Sequence, residues 1–154
     1  NLSVVCLRYF NVFGPRQDPS SPYSGVISKF TEVMARGERP LIFGDGTQTR
    51  DITYVSNAVA ANLLAMKAEQ PLGGVALNVG TGQRISLLDL VDTINRALGT
   101  DLEPRFEPAR AGDVRDSLAW LDRIRAVLGY EPEVDFEEGL RRTIAATVPS
   151  RRPG

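Results

Sequence analysis

The sequence predicts an α/β fold. Strand-like segments alternate along the chain with segments whose apolar residues recur at helical spacing, which is the pattern of α/β proteins. The chain has 154 residues, of which 42% are apolar and 24% charged, so it is long enough to bury a core. A doubly wound sheet needs more strands than these segments supply, and we expect the missing strands to lie upstream.

The first elements are a strand, a loop and a helix. Residues 2–9 predict a buried strand, and Cys6 within it is expected to be a small buried thiol without a disulfide partner. Residues 14–24 hold three prolines among Asp, Ser and Gly, which predicts a loop. From Gly25 to Arg36 the apolar residues have helical spacing, and Gly37 is suited to end that helix.

The middle of the chain predicts two strands around a helix. Leu41 to Phe43 is a short strand followed by the turn Gly44-Asp45-Gly46, and Thr49 to Val55 is expected to be extended. A helix should begin near Ser56 as its N-cap, and Val75 to Val79 should form the next strand. Three apolar residues are expected on the inner face of this helix: Val59, Leu63 and Met66.

The last part of the chain predicts three helices and one weak strand near Glu103 to Phe106. Ser86 should cap a helix that Gly99 ends, and a short helix should end at Gly129. Asp135-x-x-Glu138 resembles a capping box for the final helix. The apolar faces of these three helices are expected to carry Leu87, Val91, Ile94 and Leu98, then Leu121, Ile124 and Leu128, then Phe136, Leu140, Ile144 and Val148.

Composition excludes several classes of function. The 18 basic and 19 acidic residues leave a net charge of −1, and no basic run exceeds a pair, which argues against binding to nucleic acid. No apolar stretch approaches the roughly 20 residues that span a bilayer, so no membrane partner is expected. With no His and one Cys, neither a His-dependent catalytic site nor a metal site is assigned. The single Cys fits a reducing cytoplasm.

The most informative segment is Leu7-Arg8-Tyr9-Phe10-Asn11-Val12-Phe13-Gly14-Pro15, a strand that ends in a Gly-Pro turn. It closely resembles the Leu-Arg-Tyr-Phe-Asn-Val-Tyr-Gly-Pro segment of the extended short-chain dehydrogenase/reductases that act on nucleotide sugars. In that family the segment lies just downstream of the catalytic Tyr and Lys. The resemblance therefore implies the C-terminal part of a Rossmann-type enzyme. Residues 1–148 would be its substrate-binding portion, and residues 149–154 are expected to be a disordered tail.

The catalytic pair of that family is absent from this sequence. No Tyr is followed four residues later by Lys, and no Gly-x-Gly-x-x-Gly occurs. Gly80-Thr81-Gly82 lacks the third Gly, and we interpret it as an ordinary loop between a strand and a helix. We therefore assign no catalytic residue and expect the isolated chain to be inactive.

Two site residues follow directly on the first strand, where ligands of open α/β sheets bind. By resemblance, Phe10 lies against the nicotinamide end of NAD, and Asn11 hydrogen-bonds the diphosphate and sugar of the substrate. An Asn that only caps a turn is the alternative. The resemblance also assigns Val26 to the substrate, because the free N–H groups at a helix start near Gly25 suit a phosphate.

Two further assignments come from the segment between Pro40 and Val55. In the resembling family the strand ending at Phe43 presents backbone groups to the uracil edge, and Phe43 can stack on the base; a core aromatic is the alternative. The Arg of that family at the position of Arg50 binds the diphosphate, since guanidinium is a bidentate partner for phosphate. The alternative interpretation is that Arg50 forms a surface ion pair with Asp51 or Asp45.

The last assignments come from Ala109-Arg110-Ala111-Gly112-Asp113-Val114-Arg115-Asp116-Ser117. Resemblance gives Arg110 to the diphosphate and Asp113 to a ribose hydroxyl; a solvated charged loop is the alternative. The residue four positions after the Asp borders the hexose pocket in the family, which here is Ser117. Its small side chain should leave room for a 2-acetamido group, unless Ser117 merely caps the following helix.

These residues predict the nucleotide-sugar half of an NAD-dependent UDP-sugar 4-epimerase. We call the complete protein that contains these 154 residues the parent protein. The resemblance implies UDP-glucose and UDP-galactose as its substrates, UDP-N-acetylglucosamine as a further one, and a homodimer. Two alternatives stay open: a nucleotide-sugar dehydratase or decarboxylase of the same superfamily, and a non-catalytic nucleotide-sugar binding fragment.

Overall fold

The structure, a computed structural model, describes residues 4–21 and 25–147. The strands in these ranges are β1 (Val5–Tyr9), β2 (Val12–Phe13), β3 (Leu41–Phe43), β4 (Thr49–Arg50), β5 (Thr53–Tyr54), β6 (Val75–Val79), β7 (Ile85–Ser86) and β8 (Arg105–Glu107). The helices are α1 (Val26–Ala35), α2 (Val55–Met66), α3 (Leu87–Leu98), α4 (Asp122–Leu128) and α5 (Phe136–Thr147). Helices and strands alternate along the chain, and the expected α/β class is confirmed.

The strands pair across long stretches of sequence. β1 with β6, β2 with β5 and β3 with β8 are parallel pairs, and β4 with β7 is antiparallel. In the longest pair, Val5 lies opposite Val75 and Tyr9 lies opposite Val79. Parallel pairing needs long crossover connections, and α1 and α2 lie within the connections between paired strands.

Two clusters of buried side chains form the core. The first joins α1, α3 and α5 to the short strands β2 and β5, where the Phe13 ring lies 5.6 Å from that of Tyr54 and 6.1 Å from that of Phe136. The second lies beneath β6, where Leu77 and Val79 are covered by residues of α2 and α4. The segment from β3 to β5 carries two of the expected site residues, Phe43 and Arg50.

Local signals predicted the ends of the helices well. Ser86 and Asp89 form a reciprocal capping box at the start of α3, and Gly99 ends that helix in the left-handed conformation. Gly129 ends α4 in the same way. At the start of α5, Glu138 N–H donates to the Asp135 carboxylate at 2.8 Å, which is one half of the expected box. The expected buried face of α5 is confirmed over the described residues. On the expected face of α3, Val91 and Ile94 are buried, and Leu87 and Leu98 are partly buried against the first cluster.

The prediction for α2 was wrong in its start and in its face. The helix begins at Val55 after Tyr54, so Ser56 is not its N-cap. The three residues expected inside lie 47–81% exposed on the outer face: Val59, Leu63 and Met66. The buried face is made of small residues and Asn57, whose amide donates to Val134 O at 2.7 Å. α2 is apolar on most sides, so periodicity alone could not identify its inner face.

The first strand is partly buried on one face and exposed on the other. Leu7 packs against the second core cluster, whereas Cys6 and Arg8 point to the other face and are exposed. The expectation of a buried Cys6 thiol was therefore wrong. The expectation assumed a strand covered on both faces, but no described residue covers the face of β1 that carries Cys6 and Arg8.

The remaining differences concern short elements. β8 lies one to two residues later than the expected strand, and β2 and β7 were not predicted. The expected extended stretch from Thr49 holds two short strands and ends where α2 begins at Val55. The expected loop over 14–24 and the expected tail over 149–154 lie partly or wholly outside the described residues. Each helix within the described ranges is too short or too polar to cross a bilayer.

Candidate functional site

A cleft of about 200 Å³ lies between the turn after β3 and the loop after β8. Its walls include Phe43, Arg110 and Asp113, which the sequence had assigned to one ligand from two distant segments. The turn residues Gly44 and Asp45, the side chain of Gln48, and Ala109, Val114 and Arg115 complete the lining. A larger cleft of about 450 Å³ between β1 and α2 contains none of the expected site residues. The cleft beside β3 is therefore the candidate site.

Phe43 is a half-buried side chain on the cleft wall and belongs to neither core cluster. The Cζ atom of Arg110 lies 3.6 Å from the centroid of its ring, which is a close cation–π contact. Gln48 Nε2 donates to the carbonyl oxygen of Phe43 at 2.6 Å. The alternative of a core aromatic at this position is not what the structure shows.

The backbone of β3 has an edge that faces away from β8. The ladder between the two strands runs from Pro40 O, which accepts from Arg105 N–H, to Gly44 N–H, which donates to Glu107 O. Because backbone groups alternate in direction along a strand, the N–H of Phe43 and the C=O of Leu41 point away from β8. These are groups of the kind that read the edge of a planar base.

A tight turn presents the charged residues of the opposite wall. Asp113 N–H donates to Arg110 O at 3.3 Å, and Gly112 between them has φ of 86°. Such a turn needs a residue that tolerates positive φ, which explains the Gly of the Arg-x-Gly-Asp sequence. Both the Arg110 and Asp113 side chains are exposed, so they are accessible to a ligand.

Beside the cleft, Asp51 is a fully buried carboxylate with four donors. Its Oδ1 accepts from the Thr81 N–H and hydroxyl, both at 2.8 Å, and its Oδ2 accepts from Gly82 N–H at 2.9 Å and Ala119 N–H at 3.0 Å. Gly80 has no room for a side chain, because a Cβ there would clash with the Ala119 methyl group. Gly80-Thr81-Gly82 is thus a loop closed around Asp51, in agreement with its interpretation as an ordinary loop.

Two expected substrate residues, Asn11 and Ser117, are held by the backbone of Asp51. The Asn11 amide donates to Asp51 O at 2.6 Å, and Asn11 itself adopts φ of 35°. Asp51 N–H donates to Ser117 O at 2.9 Å, and Ser117 N–H donates to Thr49 O at 3.1 Å. The Ser117 hydroxyl is enclosed and has no partner among the described residues. Ser117 does not cap α4, which begins after Leu121, so that alternative is wrong.

Arg50 lies next to Asp51 but is not paired with it. Its Nη1 donates to Thr49 O at 2.8 Å and to Arg115 O at 3.1 Å, while the Asp51 carboxylate is bonded elsewhere. The alternative of a surface ion pair of Arg50 with Asp51 or Asp45 is therefore wrong, because the arginine beside the Asp45 carboxylate is Arg115. By binding the carbonyl of Arg115, Arg50 ties β4 to the loop that lines the cleft.

Five of the eight expected residues do not line the cleft. Asn11, Arg50 and Ser117 lie at or next to Asp51, whereas Phe10 and Val26 lie elsewhere. Phe10 is half-buried, packs against the second core cluster, and continues the β1 ladder by donating its N–H to Val79 O. Val26 is the first residue of α1 and packs partly against the first cluster. Gly25 before it has no side chain that could cap the helix, so the N-cap residue itself leaves the first N–H groups of α1 available, as the phosphate assignment requires.

Sequence reasoning missed three residues of this region: Gln48, Asp51 and Arg115. Gln48 and Arg115 stand inside the two motifs that supplied Arg50 and Arg110, so their positions were a usable signal. The sequence showed no sign that Asp51 is buried, because its donors come from residues 30 to 68 positions away.

The buried Tyr130 contacts the loop of residues 80–82, and its ionisation makes the stability of the fold depend on pH. Its hydroxyl donates to Gly80 O at 2.9 Å. Burial raises the pKa of Tyr130 to about 12, and the carboxylates of Asp51 and Glu131 act in the same direction. The folded protein thus binds this proton more tightly than the unfolded chain, whose Tyr pKa is about 10.

The ionisation of Tyr130 should leave the free energy of unfolding unchanged below about pH 10. Between about pH 10 and 12 the free energy of unfolding should fall, because the unfolded chain loses this proton first. The loss is at most about 2.7 kcal/mol, the value of two pKa units. Urea denaturation at a series of pH values measures it. In Tyr130→Phe the decline over this interval should be shallower, and equal slopes in both proteins would contradict the assignment.

Known proteins are similar to this chain over most of its length. Residues 1–80 match the model of the NAD dependent epimerase/dehydratase family. A putative UDP-glucose 4-epimerase from Methanocaldococcus jannaschii is 40% identical over 144 residues, which cover 93% of this chain and 45% of that protein.

Two solved structures are also similar. The UDP-glucose 4-epimerase of Thermotoga maritima, solved with UDP-glucose, is 44% identical with a TM-score of 0.85 over 92% of this chain and 45% of its own. The UDP-N-acetylglucosamine 4-epimerase of Methanobrevibacter ruminantium, solved with UDP-N-acetylmuramic acid, is 39% identical with a TM-score of 0.86 over 94% and 46%. The chain spans about half the length of the relatives that it matches.

Proposed function

Because the chain belongs to the NAD dependent epimerase/dehydratase family, we propose that it is the UDP-sugar-binding part of an NAD-dependent UDP-sugar 4-epimerase. The resemblance found in the sequence is confirmed at the level of the family. The observation that carries the proposal is the cleft, in which the folded chain brings Phe43, Arg110 and Asp113 together beside Arg50. An aromatic ring, two guanidinium groups and a carboxylate match a base, a diphosphate and a ribose in that order.

Each part of the ligand has a counterpart among these residues. The ring of Phe43 stacks on uracil, and the outward edge of β3 bonds the edge of the base. Arg50 and Arg110 bind the diphosphate and offset its charge without a metal ion. Asp113 accepts from a ribose hydroxyl. The anchored nucleotide then leaves the hexose near Asn11 and Ser117, which Asp51 holds together.

NAD is the cofactor of the family, and it supplies the hydride acceptor and donor for the change at C4 of the sugar. In this chain the N–H groups of Thr81 and Gly82 are bonded to Asp51, so that loop does not offer them to a pyrophosphate. Phe10, at the carboxyl end of β1, fits a contact with the nicotinamide end of NAD. We therefore propose that Phe10 orients the cofactor while the remainder of its site lies outside this chain.

The proposed substrates are UDP-glucose and UDP-galactose, together with UDP-N-acetylglucosamine. The small side chain of Ser117 supports the acetamido sugar. The expected homodimer of the parent protein stays a prediction. A dehydratase or decarboxylase would share the nucleotide site proposed here, so the parent's turnover of UDP-galactose distinguishes the epimerase. The 154-residue chain itself should show no turnover, because its sequence has no Tyr-x-x-x-Lys.

Replacement of Arg50 by Ala tests the nucleotide site directly. In the parent protein, Arg50→Ala should weaken the binding of UDP by roughly 1.5–3 kcal/mol, the scale of a charge-assisted hydrogen bond. Arg50→Lys should restore only part of the affinity, because an ammonium group cannot form the planar fork. Isothermal titration calorimetry with UDP measures both variants.

The matched control for this test is Arg36→Ala on α1. Arg36 pairs with Glu32 and Glu38 on the surface, away from the cleft, so its removal deletes the same charge without affecting UDP. Thermal melting of each variant checks that the fold is kept. Unchanged UDP affinity in both Arg50→Ala and Arg110→Ala would contradict the proposed diphosphate site.

A further inference from the structure

The Arg110 side chain covers the face of Phe43 on which the base is proposed to stack. The ring of Phe43 is the proposed platform for the base, yet the guanidinium of Arg110 lies 3.6 Å above it. A planar base needs about the same separation from the ring for stacking, so base and guanidinium cannot share that face. A ligand that stacks on this face of Phe43 must first move Arg110.

The structure lets Arg110 move at little cost. Within the described residues, no ion pair or side-chain hydrogen bond of Arg110 is found, and the side chain is exposed. Its backbone is held in the turn by the bond from Asp113 N–H, so the long side chain can rotate while the turn stays in place. The contact with Phe43 is what holds the guanidinium over the cleft.

Resting on the proposed function, we propose that Arg110 is a specificity-determining residue that makes the cleft select nucleoside diphosphates over nucleosides. Without ligand, Arg110 covers the ring of Phe43. A nucleoside diphosphate displaces it and at the same time gives it a phosphate partner, which is a stronger contact than an exposed cation–π pair. A nucleoside also displaces Arg110 from the Phe43 ring, but it has no phosphate that could bind the guanidinium. The lost cation–π contact therefore weakens the binding of a nucleoside.

Arg115 is the neighbouring arginine that does not have this role. It also lines the cleft, but its Nη2 bonds Thr47 Oγ1 at 3.2 Å and lies 3.9 Å from the Asp45 carboxylate. These contacts hold it at the rim formed by the turn after β3. Arg115→Ala is therefore a control that removes an equal charge from the same cleft without uncovering Phe43.

The test compares uridine with UDP on the full parent protein. Arg110→Ala should tighten the binding of uridine by about 2- to 5-fold, which corresponds to the loss of an exposed cation–π contact. The same variant should weaken UDP by about 10- to 100-fold, because the phosphate loses its partner. Arg115→Ala should not tighten uridine binding. In a Phe43→Leu background, Arg110→Ala should no longer tighten uridine binding, because no ring remains to be uncovered.

A second readout follows the side chain itself. In the free parent protein the Arg110 side-chain protons should be shifted upfield by the ring current of Phe43, and titration with UDP should remove that shift. A parent protein that does not bind UDP at all would overturn the proposed function, and the inference with it. Normal UDP binding together with an Arg110→Ala variant whose uridine affinity is unchanged or lower would overturn the inference alone.

Discussion

Replacement of Asp51 by Asn is expected to lower the free energy of unfolding by about 2–6 kcal/mol. The Asp51 carboxylate accepts four hydrogen bonds in a fully buried position. The Asn amide has a single oxygen, so its NH₂ group must face donors such as the N–H groups of Gly82 and Ala119. A buried donor left without an acceptor costs about 1–3 kcal/mol, and two of them account for the expected loss.

Asp113→Asn provides the control for this variant. Asp113 carries the same carboxylate in the cleft but is exposed, so the same substitution should change stability by no more than about 0.5 kcal/mol. Urea denaturation of the two variants of the parent protein, followed by circular dichroism, measures the difference. An Asp51→Asn variant as stable as Asp113→Asn would show that the four bonds do not hold the fold.

Ser117→Tyr is expected to remove turnover of UDP-N-acetylglucosamine by the parent protein while sparing UDP-galactose. The resemblance places position 117 at the border of the hexose pocket, where a phenol ring takes the space of the acetamido group. Steric exclusion of this kind should lower kcat/KM for the acetamido sugar by about 100-fold or more. Steady-state assays of both substrates on the same preparation measure the ratio.

Because Ser117 is closely surrounded, the Ser117→Tyr variant needs a control for misfolding. Its hydroxyl is enclosed, and its backbone is bonded to Thr49 on one side and Asp51 on the other. A larger side chain must turn outward, and thermal melting shows whether the fold accepts it. Ser117→Ala keeps the small volume and should retain both activities. Equal losses on both sugars in Ser117→Tyr, with an unchanged melting temperature, would count against the pocket border.

Local sequence signals predicted the parts of the fold that depend on neighbours along the chain. Ser86 and Gly99 bound α3, and Gly129 ends α4, because caps and left-handed ends act within a few residues. The buried face of α2 could not be predicted in this way. Ala58 and Ala61 are inside because small residues let the helix approach its neighbours, and that choice depends on what packs against it.

The site shows the same division. Phe43 and Arg110 stand in motifs that sequence reasoning could assign, and the folded chain brings them to one cleft. The contact between their side chains was not foreseen, because it joins β3 to a loop 67 positions further along the chain. Asp51 was missed for a similar reason, since a buried carboxylate is recognised only by the N–H groups that converge on it.

The span of the Asp51 contacts has a consequence for the order of folding. Its partners Asn11, Thr81 and Ala119 are 40, 30 and 68 positions away, so three long loops must close before the carboxylate leaves water. Contacts of such sequence separation form slowly and late. We therefore expect Asn11, Arg50 and Ser117 to come together only when these loops have closed, so that the proposed ligand site forms with the completed fold.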